Sequence, residues 1–83
     1  MSQANRAAFP KGLHQPETGY RFSLDPLLLA CFSECAQQDR VMDLGTGCGV
    51  AGLGLLILYP EHNLRLTGID ISEELLECAR ANA

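Results

Sequence analysis

The stretch Arg40-Val41-Met42-Asp43-Leu44-Gly45-Thr46-Gly47-Cys48-Gly49 runs from a short apolar segment straight into alternating glycines. A brief apolar run closed by glycine predicts a buried strand over Arg40–Leu44 and a loop over Gly45–Gly49. Val50 to Tyr59 follows, with Val50, Leu53, Leu56, Ile57 and Leu58 apolar nearly all round and Pro60 as a stop. That pattern reads as a helix covered on more than one side. Gly52 and Gly54 weaken such a helix by about 1 kcal/mol each relative to alanine. The compensation expected is close approach of the helix to the sheet.

Downstream, Leu64 to Ile69 predicts a second strand ending at Asp70. Ser72 is a good cap for the next helix, with Glu73, Glu74 and Glu77 near its positive end. Leu75, Leu76 and Ala79 form its expected buried stripe. Upstream, Asp25 reads as an N-cap with Pro26 at the first helical position. Leu28, Cys31, Phe32 and Cys35 recur at helical spacing as one apolar face, Leu27 to Leu29 belong to the core, and the helix is expected to end near Gln38. Met1 to Gly19, broken by Pro10, Gly12, Pro16 and Gly19, reads as irregular.

The expected organisation is an irregular arm over residues 1–22 and an α/β unit over 23–83. The order is helix, strand, loop, helix, strand, helix. Two strands joined by a crossover helix run parallel with a right-handed connection. Parallel strands are normally buried on both faces within a larger sheet, and two alone are marginal. The fold class is therefore α/β: part of a Rossmann-like domain whose partner strands lie elsewhere.

Composition bounds the function. The chain has 83 residues, 47% hydrophobic and 19% charged, which suits one small globular domain. The longest apolar run, Val50 to Leu58, is far shorter than the ~20 residues of a membrane helix. Met1 to Arg6 is polar and lacks a signal-peptide core, so the expected location is the cytoplasm. Net charge is −4 and the 6 basic residues are scattered, so this segment offers no footprint for a polynucleotide by itself. Four cysteines include no CxxC pair and match no zinc spacing, so they read as reduced, buried, small apolar residues. His14 and His62 read as surface residues with no base role.

The chemistry-bearing signals lie at the strand ends. A glycine-rich turn lets a ligand approach bare backbone, and the following helix start offers unpaired N–H groups. Ligands of open α/β sheets bind outside the carboxyl ends of the strands, where Asp43 sits. Asp70 ends the second strand, 21 positions after Gly49, the spacing of an acidic residue that accepts ribose hydroxyls. Gly47-Cys48-Gly49-Val50-Ala51-Gly52 also fits GxGxxG, the dinucleotide fingerprint, so a nicotinamide- or flavin-dependent oxidoreductase is a competitor. Asp43 argues against it. A carboxylate beside the turn repels a pyrophosphate and attracts a ligand bearing an ammonium and a sulfonium, which describes S-adenosyl-L-methionine.

Asp43-Leu44-Gly45-Thr46-Gly47-Cys48-Gly49 resembles motif I of class I S-adenosylmethionine-dependent methyltransferases. Leu66-Thr67-Gly68-Ile69-Asp70-Ile71-Ser72, followed by Ala79-Arg80-Ala81-Asn82, resembles the motif II strand and helix of the same enzymes. Gln15 to Asp25 with Leu27-Leu28-Leu29-Ala30 is similar to a narrower group, the adenine-N6 methyltransferases acting on valine tRNA. The resemblance covers roughly Gln15 to Ala83. It implies that the backbone of Gly45, Thr46, Gly47, Cys48 and Gly49 cradles the methionine part and that Asp43 holds its ammonium. It further implies that Asp70 takes the ribose hydroxyls, that Ile71 packs on adenine, and that Tyr20 to Asp25 crosses the cofactor mouth with Arg21 and Asp25 as contacts. Asp25 has the competing role of a helix cap.

In the resembled group an Asn-Pro-Pro-aromatic motif holds the target nitrogen. This chain has no Asn-Pro pair, so no catalytic residue is assigned and the chain is expected to be inactive alone, as a cofactor-binding half whose catalytic motif lies past Ala83. A tRNA or other nucleic-acid substrate would be held through that further part. A third alternative is a short, non-catalytic chain that binds a partner or a second copy through exposed apolar faces.

Overall fold

The computed structural model describes residues 1–17 and 24–83. Its elements are α1 (Gln3–Ala8), α2 (Asp25–Phe32), β1 (Arg40–Leu44), α3 (Val50–Leu58), β2 (Arg65–Ile69) and α4 (Glu73–Asn82). The strands pair in parallel, in register from Arg40 opposite Arg65 to Leu44 opposite Ile69. The fold is thus the partial, Rossmann-like α/β arrangement expected.

The helix α3 is the centre of the packing. Val50, Gly52, Leu53, Gly54 and Leu55 are all buried. A Cβ at Gly52 would stand 2.5 Å from Leu66 Cδ2 of β2, so the absent side chain is what lets α3 lie on the sheet. Gly54 does the same job in another direction: its Cβ would meet Ala30 Cβ of α2 at 3.1 Å and the ring of Phe9 at 3.7 Å. The expected approach to the sheet therefore holds at Gly52, whereas Gly54 is pressed by α2 and the N-terminal segment.

The helix α2 ends at Phe32, not near Gln38. The Ser33 N–H and hydroxyl both bond back to the Leu29 carbonyl, Ser33 itself is extended, and Tyr59 Oη donates to its carbonyl at 2.9 Å. The N-cap position falls on Leu24, and Asp25 is the first helical residue. The expected apolar face of α2 is open: Leu28 and Cys31 are exposed and Phe32 is 84% exposed, as is Leu29 in large part. The residue that α2 buries is Ala30, because a small side chain is what fits over Gly54.

β1 is not buried on both sides. Val41 and Asp43 are half-buried under α3, whereas Met42 and Leu44 are 61% and 75% exposed on the other face. Within the stretch read as irregular, Gln3–Ala8 form a short helix, for which Ser2 supplies the cap by accepting the Asn5 N–H at 3.1 Å. All four thiols are free, yet Cys48 is buried and Cys31 is exposed. No helix of the described residues is long and apolar enough to cross a membrane.

Candidate functional site

The carboxyl ends of β1 and β2 face a turn in which Gly45, Gly47 and Gly49 all have positive φ, at 70°, 57° and 92°. Left-handed backbone is cheap for glycine and strained for other residues. Gly49 serves as the N-cap of α3 and offers no side chain to it; its hypothetical Cβ points at Ala79 of α4, 3.5 Å away. Gly45 and Gly47 point into open space, with nothing within 4 Å of an added Cβ.

The N–H groups of Gly45, Thr46, Gly47 and Gly49 are engaged by the protein. The N–H groups of Gly45 and Thr46 donate to the Ile69 carbonyl at 2.8 and 2.9 Å, and Gly49 N–H donates to the Thr46 carbonyl at 2.9 Å. Gly47 N–H donates to Asp70 Oδ2 at 2.9 Å. What the turn offers a ligand is therefore close approach to bare Cα atoms more than a set of free N–H groups. Gly68 of β2 is shaped by the same turn, since a Cβ there would fall 2.7 Å from Thr46 Oγ1.

The two carboxylates differ in setting. Asp43, half-buried at the end of β1, accepts the Thr46 hydroxyl at 2.9 Å through Oδ2. Asp70 bridges backbone: Oδ1 accepts Ser72 N–H at 2.9 Å and Oδ2 accepts Gly47 N–H. The Ser72 and Gly47 N–H groups hold the Asp70 carboxyl below its ordinary value of 3.8 against a smaller opposing effect of desolvation. A carboxylate has about four acceptor positions, so Asp70 can still accept a ligand hydroxyl beside its backbone N–H partners.

A cleft of about 320 Å³ joins Asp43, Thr46, Gly47 and Cys48 to Asp25, Pro26 and Leu29 of α2. Among the described residues that line it are two carboxylates and no lysine or arginine. Asp25, Asp43 and the turn as far as Cys48 are thus brought together as the sequence suggested. Gly49 lies outside the cleft, against α4. Asp70 sits on the β2 side of the turn, joined to it through Gly47. Ile71 is fully exposed beside Asp70, an open apolar platform. Arg21 lies outside the described residues.

One residue of the site was missed. Asn82, on the last turn of α4, is buried and its Nδ2 donates to the Cys48 carbonyl at 2.9 Å. The available signal was its place among alanines: asparagine is a poor helix former and needs a reason to sit there.

A parallel β-α-β-α unit, with a glycine turn set between two carboxylates at the strand ends, defines a Rossmann-like α/β domain. The chain belongs to the methyltransferase small domain family, whose pattern matches residues 24–83. That family uses S-adenosyl-L-methionine. The donor set fits such a ligand, because the cleft couples carboxylates with apolar walls and, among the described residues, presents no cation for a diphosphate.

Relatives are spread over several acceptors. The chain is 30% identical over 70 residues to the tRNA1(Val) (adenine(37)-N6)-methyltransferase of Vibrio campbellii, which spans 84% of this chain and 28% of that protein. It is 43% identical over 47 residues to the release factor glutamine methyltransferase of Deinococcus radiodurans, covering 57% of this chain and 16% of the relative. It is 56% identical over 36 residues to the 23S rRNA (uracil(747)-C(5))-methyltransferase of Pectobacterium carotovorum, covering 43% and 9%. The chain spans little more than a quarter of the length of the first of these and less of the others. No solved structure matches it.

Proposed function

We propose that this chain is the S-adenosyl-L-methionine-binding part of a methyltransferase that acts on a nitrogen, most specifically adenine N6 in tRNA. The observation that carries the cofactor half of this reading is the cleft over the glycine turn: among the described residues it is lined by Asp25 and Asp43 and by no basic residue, and the N–H groups of Gly45, Thr46, Gly47 and Gly49 are already engaged. A diphosphate would meet repulsion from these two carboxylates. An amino-acid terminus finds a carboxylate for its ammonium and the start of α3 for its own carboxylate.

In this reading Asp43, oriented by Thr46, takes the ammonium. Gly45 and Gly47 admit the methionine chain by having no side chains, while Cys48 and Gly49 lead into α3. Asp70 takes the ribose hydroxyls with its remaining acceptor positions, and Ile71 covers one face of the adenine. Asp25 closes the cleft from α2, and Arg21 is proposed as a contact from the segment before it. When bound, the cofactor supplies an electrophilic methyl group on a sulfonium. This chain's residues bind and orient; methyl transfer depends on alignment more than on acid–base work.

The acceptor half of the reading is supported by the tRNA1(Val) enzyme, the relative that shares the longest aligned stretch of the three. With a net charge of −4, this stretch does not hold RNA by itself, so the acceptor is proposed to sit on surfaces outside it. The cytoplasm is the matching location. The exposed Met42, Leu44 and Ile69 face is proposed to be covered by further protein, whether more of the same domain or a second copy.

The test is transfer of labelled methyl from S-adenosyl-L-methionine by the intact protein to bulk tRNA, release factor and ribosomal RNA in parallel. Label recovered as N6-methyladenosine in tRNA is the expected result. Label on a glutamine amide or a uracil carbon would move the acceptor to the corresponding relative's class, and no transfer to any would refute the activity.

A further inference from the structure

Asn82 is 5% exposed and is the buried polar side chain among the described residues. Its carboxamide is fully paired. Nδ2 donates to the His14 carbonyl at 3.0 Å and to the Cys48 carbonyl at 2.9 Å, and Oδ1 accepts the His14 N–H at 2.6 Å. Two of these bonds read one residue's backbone N–H and C=O together, as a neighbouring strand would. The third fixes the glycine turn, 34 residues earlier in sequence, while the arm lies 68 residues earlier.

A helix end could be anchored more cheaply. Half-buried Cys78 and Ala79 pack without any polar group, and an asparagine costs helix stability and desolvation unless every polar atom is satisfied. What a carboxamide adds is two donors and one acceptor in a single plane. No aliphatic side chain supplies them, and aspartate supplies only the acceptor. The Cys48 carbonyl that Asn82 holds belongs to the peptide leading into Gly49, the left-handed residue that starts α3. Its orientation therefore sets both the lip of the cleft and the direction of the helix start.

We propose that Asn82 is a positioning residue that couples docking of the N-terminal arm to the shape of the ligand turn. The arm at His14 and a ligand on the turn then share one fixed peptide, so each strengthens the other by the same factor. The inference rests on the reading of the cleft as the cofactor site. It makes Asn82 no ligand contact of its own.

The experiment measures S-adenosylhomocysteine affinity of the intact protein by calorimetry, with hydrogen exchange of the His14 amide with and without ligand. In the unsubstituted protein the ligand slows His14 exchange, although His14 does not line the cleft. Asn82→Asp and Asn82→Ala lower affinity about tenfold, within the usual range of coupling between sites, and abolish the ligand-induced slowing at His14. Should those variants fail to fold, removal of residues 1–14 takes away the arm while leaving every cleft residue, and it too costs about tenfold in affinity. Unchanged affinity in the variants, or His14 exchange indifferent to ligand in the unsubstituted protein, overturns the coupling while leaving the cofactor reading intact. Failure of the unsubstituted protein to bind the ligand overturns both.

Discussion

The turn from Gly45 to Gly49 and the first half of α3 are neighbours in sequence and both rich in glycine, but the glycines do different work. In the turn the backbone itself is left-handed and an added Cβ at Gly45 or Gly47 would meet nothing. In α3 the backbone is ordinary helix, and an added Cβ would strike Leu66 at Gly52 or Ala30 at Gly54. Glycine serves conformation and ligand access in the first region, and proximity of packed elements in the second. One GxGxxG string, Gly47 to Gly52, contains both uses, which is why the string alone does not name the ligand.

The comparison predicts that changes in α3 alter stability, whereas changes in the turn alter ligand affinity. The largest effect is expected from Gly52→Val, about 3 kcal/mol of destabilisation in urea unfolding, at the upper end of overpacking costs. Leu66→Ala in the same chain should recover part of it, since Leu66 is the atom group that is struck. Full stability of Gly52→Val would break the distinction. Next comes Asp70→Ala, expected to weaken S-adenosyl-L-methionine binding by about 1–3 kcal/mol, the scale of hydrogen bonds to a charged acceptor. Unchanged affinity in a folded protein would contradict its ribose role.

Gly47→Ala is expected to cost about 1–2 kcal/mol through its left-handed backbone, with loss of affinity beyond what reduced stability explains. Gly54→Ala should be the mildest, a net change under about 1 kcal/mol as helix propensity offsets the squeeze against Ala30. Its affinity for ligand should not change.

Acid behaviour sharpens the role of Asp70. Its folded carboxyl titrates below 3.8, so its contribution to stability is present above the unfolded value and is lost as pH falls through the folded one. An unfolding series from neutral pH downward should show Asp70→Asn with a shallower loss of stability below about pH 4 than the unsubstituted protein. Parallel curves would mean that the bonds from Ser72 and Gly47 do not favour the ionised form.

Much of this was legible from local chemistry. Arg40–Leu44 and Arg65–Ile69 were marked by apolar runs that end in glycine or aspartate, and Ser72 by its capping preference, which the bond from Leu75 N–H realises at 3.3 Å. Asp43 and Asp70 were placed at the strand ends because parallel topology leaves them nowhere else. The errors arose where tertiary partners decide. The face of α2 was assigned from periodicity, but Gly54 selects Ala30 as the contact and leaves Phe32 outside. The turn was read as bare backbone open to a ligand; that Ile69 and Asp70 take its N–H groups depends on the second strand and was not visible in the turn's own residues. Asn82 was read only as part of the helix after the second strand; its role was hidden because its partners, His14 and Cys48, are distant in sequence and are backbone groups that no side-chain pattern reveals.

A turn walled by carboxylate, with most of its N–H groups already engaged, is expected to select a cationic nucleoside over a diphosphate. Calorimetric titration of the intact protein with S-adenosylhomocysteine and, separately, with NADH tests it directly. Saturable one-site binding of S-adenosylhomocysteine with no heat from NADH is the predicted result; saturable NADH binding without the other would contradict it.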